Sequence, residues 1–422
     1  MQHQISAQRL GPLGETAAAA VSACVHCGFC LPACPTYQVL GDEMNSPRGR
    51  ILLMKGVLEG SMSLQQAAPY ISQCLGCLAC ATACPAGVQY GALLTAYRAH
   101  TEPKRSRSLS ETVTRWLLRL TLPYPSRFRA AATIGQLVGW AGHLLPRELN
   151  AMLHLLPGHF PKPVKLKPWY AAVGERRARV ALLAGCVQQV LAPHINQATI
   201  EVLTANGVEV IVPPQQVCCG ALALHTGEMR TALKLARHNL RAFPLEEIDA
   251  AIANAAGCGS ALKEYGLLLK GTPESSRARM FSEKARDVNE FLDALGLRPP
   301  HPLPRPMTVA YHDACHLAHA QGVWGAPRRL LRSIPNVAVV EVPEGEICCG
   351  SAGTYNIEHP HIAQQLGERK ARNLLRTNAD AVATSNIGCI VQIQTHLAQQ
   401  GSNVPVLHTM ELLAMAYRQA TI

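Results

Sequence analysis

CVHCGFCLPACP, residues 24–35, and CLGCLACATACP, residues 74–85, decide how this chain is read. Both follow C-x2-C-x2-C-x3-C-P. Three thiolates at that spacing wrap one face of a [4Fe–4S] cube, and the fourth, ahead of a proline, ligates the other cluster. The spacing therefore assigns Cys24, Cys27, Cys30 and Cys84 to one cluster, and Cys74, Cys77, Cys80 and Cys34 to a second. Gly28 and Gly76 let backbone amides approach the sulfurs, where hydrogen bonds tune the potential. A zinc knuckle needs four thiolates per site, but not two matched runs that each end in proline.

Between the runs, Ser46 suits a helix cap, Pro47 its first position and Gly60 its end. That predicts a helix over RGRILLMKGVLEG. Another is expected over Gly91 to His100. Residues 1–100 thus read as a helical two-cluster ferredoxin domain. Only eight of the 16 cysteines lie here; the other eight are spread over the remaining chain of 422 residues. The first residues, MQHQISAQRL, lack an apolar signal core, so clustered thiols read as metal ligands or redox groups rather than disulfides.

Residues 175–422 carry a repeat. RARVALLAGC, ending at Cys186, matches PMTVAYHDAC, ending at Cys315. Val217-Cys218-Cys219-Gly220 matches Ile347-Cys348-Cys349-Gly350, and IDAAIANAAGC, ending at Cys258, matches ADAVATSNIGC, ending at Cys389. Each half reads strand, helix, strand, Cys-Cys-Gly turn, helix, strand. Short apolar strands alternating with helical patterns predict parallel-sheet α/β lobes, here over 175–298 and 299–422. The expected helices after the two turns are Met229 to Ala242 and Glu358 to Arg376. Each lobe brings four cysteines to strand ends, where open α/β sheets bind ligands: Cys186, Cys218, Cys219 and Cys258, then Cys315, Cys348, Cys349 and Cys389. A further iron–sulfur cluster or zinc in each lobe, or in one of them, fits this pattern; buried free cysteine is the plainer reading. His312, Asp313 and His316 surround Cys315 without counterparts in the first lobe, as candidate supporting groups, ligands or proton carriers.

Residues 101–174 hold no cysteine. A basic, Ser-rich stretch leads into apolar helical patterns broken by Pro123 and Pro125, and a proline-rich end follows. This is the helical connector in a chain of class α + α/β. Trp116, Leu117, Leu120 and Trp140 form a face for a membrane surface, or one that packs on the neighbouring domains.

The charge adds limits. Lys and Arg number 39 against 28 Asp and Glu, a net +11. The basic residues are scattered and not interleaved with aromatics, which argues against nucleic acid. An acidic partner subunit or an anionic membrane surface fits better. No run of 18 apolar residues is present, so no spanning helix is expected. Neither a Gly-x-Gly-x-x-Gly fingerprint nor a Walker loop occurs.

These motifs resemble the iron–sulfur subunits of bacterial glycolate oxidase (glycolate dehydrogenase). The resemblance runs nearly the whole chain, through SPRGRILLMKG, LLAGCVQ, VCCGALALHTGE, HDACHLAHAQGV, EICCGSAGTYN and SNIGC. It implies an oxidoreductase subunit that accepts electrons from an FAD-containing partner oxidising glycolate to glyoxylate, and D-lactate too. It also implies a second flavoprotein-like subunit, a quinone or other respiratory acceptor, no catalytic residue on this chain, and a cytoplasmic place, peripheral on the inner membrane. The Cys-Cys-Gly halves are similar to heterodisulfide reductase subunits as well. There the motif ends in Cys-x-x-Cys, whereas Gly259-Ser260-Ala261 and Ile390-Val391-Gln392 follow here, which weakens that likeness. The alternatives are a subunit of anaerobic glycerol-3-phosphate dehydrogenase, a disulfide reductase acting through Cys348 and Cys349, and a docking protein with structural zinc.

Overall fold

The computed structural model describes residues 2–139 and 146–418. Its first part is helical. The helix between the cysteine runs spans Pro47–Glu59. The Ser46 hydroxyl accepts from the Gly49 amide, Pro47 takes the first turn, and Gly60 ends the helix in the left-handed region at φ 80°. The helix after the second run spans Tyr90–Thr101.

Two sheets follow. The first contains β1 (Trp169–Tyr170), β2 (Ala178–Leu183), β3 (Val208–Ile211), β4 (Ala250–Ala253) and β5 (Ala285–Asp287), in the order β1-β3-β2-β4-β5. Only β1 runs antiparallel to its neighbour. The second contains β6 (Met307–Tyr311), β7 (Val337–Glu341), β8 (Ala381–Thr384) and β9 (Val406–His408), in the order β7-β6-β8-β9 and parallel throughout. The expected strands are all present, and the duplication extends to topology. Each lobe also gains a fourth strand, β5 or β9, that its three residues did not announce. β1 starts inside the stretch expected as connector and edges the first sheet.

A parallel sheet is buried on both faces, and alternate side chains of a strand point to opposite faces. Along β2, Ala181 and Leu183 enter a core shared with Ile71, Leu93 and Tyr97 of the cysteine-rich module. Val180 and Leu182 enter a second core, shared with Val309, Tyr311 and Leu330 of the second lobe. The lobes also exchange packing helices. Val288–Leu295 of the first lies on Gly325–Arg332 of the second, and Thr409–Arg418 of the second lies on Pro193–Ala205 of the first. An ion pair marks each contact: Asp293 with Arg329 at 2.6 Å, and Glu201 with Arg418 at 2.6 Å.

The connector helices Leu109–Thr121, Pro125–Val138 and Arg147–His154 lie against this body. Leu118 is buried, and Phe128 and Ala132 pack on Val190 of the first lobe. Arg115, also buried, is the junction. It donates to the Thr226 carbonyl at 2.9 Å, and Glu102, Glu228 and Glu358 surround it at 3.6–3.9 Å. Its helix is thereby tied to the start of the connector and to both lobes. The expected amphipathic face divides. Trp116 and Leu120 stay exposed, in one stripe with Leu109 and Val113, while Leu117 is half-buried. Trp140 lies outside the described residues.

Leu412, fully buried in the core the lobes share, tests this coupling. Leu412→Ala should cost about 2–5 kcal/mol and shift a single urea transition of the whole lobe pair. A separate early transition of the second lobe alone would contradict a common core.

Candidate metal centres

The two cysteine runs build adjoining sites. One cavity of about 30 Å³ is lined by Cys24, Cys27, Cys30 and Cys84, with Cys80 at its edge. A second, of about 20 Å³, is lined by Cys34, Cys74, Cys77 and Cys80. The fourth cysteine of each run thus lies at the other run's cavity. Both ligand loops enter the left-handed region at the same two places: His26 and Gly28 in the first (φ 54° and 88°), Gly76 and Leu78 in the second (φ 68° and 64°). Glycine meets that demand at one position per loop. All sixteen cysteines are free.

The two sites differ in exposure. Cys27 is exposed, whereas Cys74, Cys77 and Cys80 are buried. Burial pushes the Cys80 thiol well up. Burial opposes ionisation of Cys74 too, but Arg50 and Arg98 overcome it and hold that thiol below its ordinary value. Arg50 is itself buried; it donates to the Tyr70 carbonyl at 2.9 Å and reaches Cys34 Sγ at 3.8 Å. Tyr90 Oη lies 3.5 Å from Cys74 Sγ. Cations and a hydrogen-bond donor thus favour the thiolate of Cys74, while burial opposes it at Cys77 and Cys80.

The inner loop is also where the module meets the second lobe. Leu75, Cys77 and Ala79 share an apolar cluster with Cys348, Tyr355 and Ile362. Tyr355 Oη donates to the Gln73 carbonyl at 2.9 Å. A π-helical turn, His316–Ala320, holds two histidines that grip the module. His316 Nε2 donates to the Gly76 carbonyl at 3.0 Å, and His319 Nδ1 lies 3.0 Å from Thr82 Oγ1. The sequence reading left His319 and His225 without a role. The His-x-x-His spacing of 316 and 319, one helical turn on one face, was the available signal. The His225 ring stands 4.9 Å from that of His316.

The lobes do not build two remote pockets. All eight Cys-Cys-Gly cysteines line one chamber of about 230 Å³ between the lobes. Leu118, Leu122, Phe128, Met152 and Leu155 of the connector wall it on one side, and His225 and His316 also face it. Cys186 Sγ lies 3.4 Å from Cys218 Sγ. Hydrogen bonds from Cys186 and Cys219 hold the Cys218 thiol well below its ordinary value. In the second lobe, Cys348 and Cys389 do the same for Cys349. Asp313 is committed to a two-pronged pair with Arg328 at 2.7–2.8 Å. His312 is fully buried behind Cys349 and Cys389.

Comparison with known proteins follows the same divisions. A family model described as a 4Fe-4S dicluster domain matches residues 20–88, and one described as a cysteine-rich domain matches twice, over 180–263 and 309–394. The chain is 36% identical over 413 residues to a probable glycolate oxidase iron-sulfur subunit of Bacillus subtilis, covering 93% of each chain. It is 37% identical over 403 residues to the glycolate oxidase iron-sulfur subunit of Escherichia coli, again 93% of each. It also matches one of the subunits of a fumarate reductase (CoM/CoB) from Methanothermobacter marburgensis, 36% identical across 60% of this chain and 49% of that one.

The second Cys-Cys-Gly turn has no room for a side chain at its glycine. Gly350 sits at φ +90°, and a Cβ there would stand 2.7 Å from the Ala363 carbonyl oxygen. Gly41, at φ +68°, has open space around it. Gly41→Ala should cost about 1–2 kcal/mol for the backbone conformation alone, and Gly350→Ala more than that. Equal melting temperatures for the two variants would contradict the tight turn.

Proposed function

The chain belongs to the family of glycolate oxidase iron–sulfur subunits, and from that premise we propose how it serves an oxidoreductase complex as its electron-transfer subunit. An FAD-containing partner oxidises glycolate to glyoxylate, and D-lactate as well. This chain takes the electrons singly and passes them toward a quinone or other respiratory acceptor. A second flavoprotein-like subunit completes the complex. No nucleic acid is involved, and no residue here performs substrate chemistry.

In this reading Cys24, Cys27, Cys30 and Cys84 hold an outer [4Fe–4S] cluster, and Cys74, Cys77, Cys80 and Cys34 an inner one. Clusters on these thiolates supply one-electron transfer. The placement of the two cysteine sets carries the proposal: one opens to solvent, and the other abuts the eight-thiol chamber. Val25 and Phe29, 69% and 67% exposed, flank Cys27 and offer the outer site to the flavoprotein. Arg50, Arg98 and Tyr90 steady the Cys74 thiolate of the inner set. Leu118, Leu122 and Phe128 keep water from the chamber. Its cysteines are further metal or cluster ligands, with His316 as the supporting group between chamber and inner loop.

Among the described residues no helix is long and apolar enough to cross a membrane. A cytoplasmic place is proposed, with Trp116 and Leu120 as a peripheral contact to the inner membrane. Neither a glycerol-3-phosphate dehydrogenase subunit nor a disulfide reductase is favoured, because the relatives matched over nearly the whole chain carry the glycolate oxidase name.

Cys27→Ser tests the path. In the assembled complex, glycolate should still reduce the partner flavin, while acceptor-linked turnover falls to background. Full quinone-linked turnover in that variant would overturn the scheme.

A further inference from the structure

His312 follows β6, and its backbone amide donates to the Ala383 carbonyl at 2.9 Å, which fixes its place beside β8. Its ring is fully buried, and the groups its nitrogens face are the sulfurs of Cys349, to which it hydrogen-bonds, and Cys389. An imidazole held there with only sulfurs to face points to a ligand that the protein itself does not supply.

The ring faces thiols. One ring nitrogen of His312 and the sulfurs of Cys349 and Cys389 all lie within 4.8 Å of one another. Among the described residues this is the single group of three such donors so close together. Neither ferredoxin ligand set has three donors at that spacing, and neither has the first lobe, where the repeat places Leu183 at the position of His312. Donors on one zinc ion, at roughly 2.0–2.3 Å from the metal, stand close to one another in this way.

We propose that the second lobe holds a single zinc ion on His312, Cys349 and Cys389, with its fourth position open to the chamber. Two thiolates and a neutral imidazole balance a divalent charge, so the buried site carries none over. Soft sulfur with imidazole nitrogen selects zinc among common divalent ions. Asn386 Nδ2 donates to Cys389 Sγ at 3.4 Å and orients that ligand. Cys349 and Cys389 line the chamber, whereas His312 stands behind them. The free side of an ion on these three groups therefore faces the chamber and its other thiols.

Zinc and iron per chain, measured on the full chain purified anaerobically, test the assignment. Wild type should carry about one zinc beside its iron. His312→Leu, which copies the first lobe, and Cys389→Ser should lose the zinc and keep the iron. Zinc-edge X-ray absorption on wild type should find two sulfurs and one imidazole nitrogen, a result that needs no variant to fold. No zinc in wild type, zinc retained in both second-lobe variants, a four-sulfur shell, or iron lost with His312→Leu would each overturn the proposal. The last result would place an iron–sulfur cluster there instead. Because zinc is read apart from iron, the ferredoxin sites can stand or fall separately.

Discussion

A parallel sheet must be covered on both faces, and the rest of this structure follows from how the first lobe's sheet is covered. Ala181 and Leu183 enter a core that continues into the cysteine-rich module on one side; Val180 and Leu182 enter one that continues into the second lobe on the other. Neither neighbour is an appendage. Each continues a core that begins on one face of β2. This common packing is what sets thiol sites from three parts of the chain beside one another.

Rigidity at the contacts is the functional gain. Transfer of electrons between fixed centres needs short, constant separations, and the interface is built to keep them. His316 and His319 hold the inner ligand loop from the second lobe. Arg98 donates to the carbonyls of Cys74 and His225, tying that loop to the first lobe too. Arg115 gathers carboxylates from the start of the connector and from both lobes. The exposed outer site and the enclosed inner one then differ in dielectric and in neighbouring charge, two of the means by which proteins set cluster potentials.

Much of this was legible from residue types and spacing. The two cysteine runs, the helix capped by Ser46 and closed by Gly60, and the duplicated strands each rest on local patterns that tertiary packing did not override. The fourth strands were not legible: Ala285–Asp287 and Val406–His408 are too short to show a period. Nor was the single chamber, because it arises from the exchange of helices between lobes, a relation between distant segments that no local spacing encodes. The four-cysteine sets looked like separate sites for that reason. His312 stood out in the sequence only as one of three polar residues near Cys315. The structure separates the three: Asp313 is neutralised by Arg328, His316 bonds to the inner loop, and His312 is left against Cys349 and Cys389. The connector, read as a link, is a wall of the chamber.

Electron transfer through the cysteine-rich module is the central claim, and low-temperature EPR of the anaerobically purified complex after addition of glycolate alone tests it most directly. The account predicts reduced [4Fe–4S] signals from two neighbouring, magnetically interacting clusters, with about eight irons per chain at these sites. Bleached flavin with no cluster signal, in a chain that carries its iron, would contradict it.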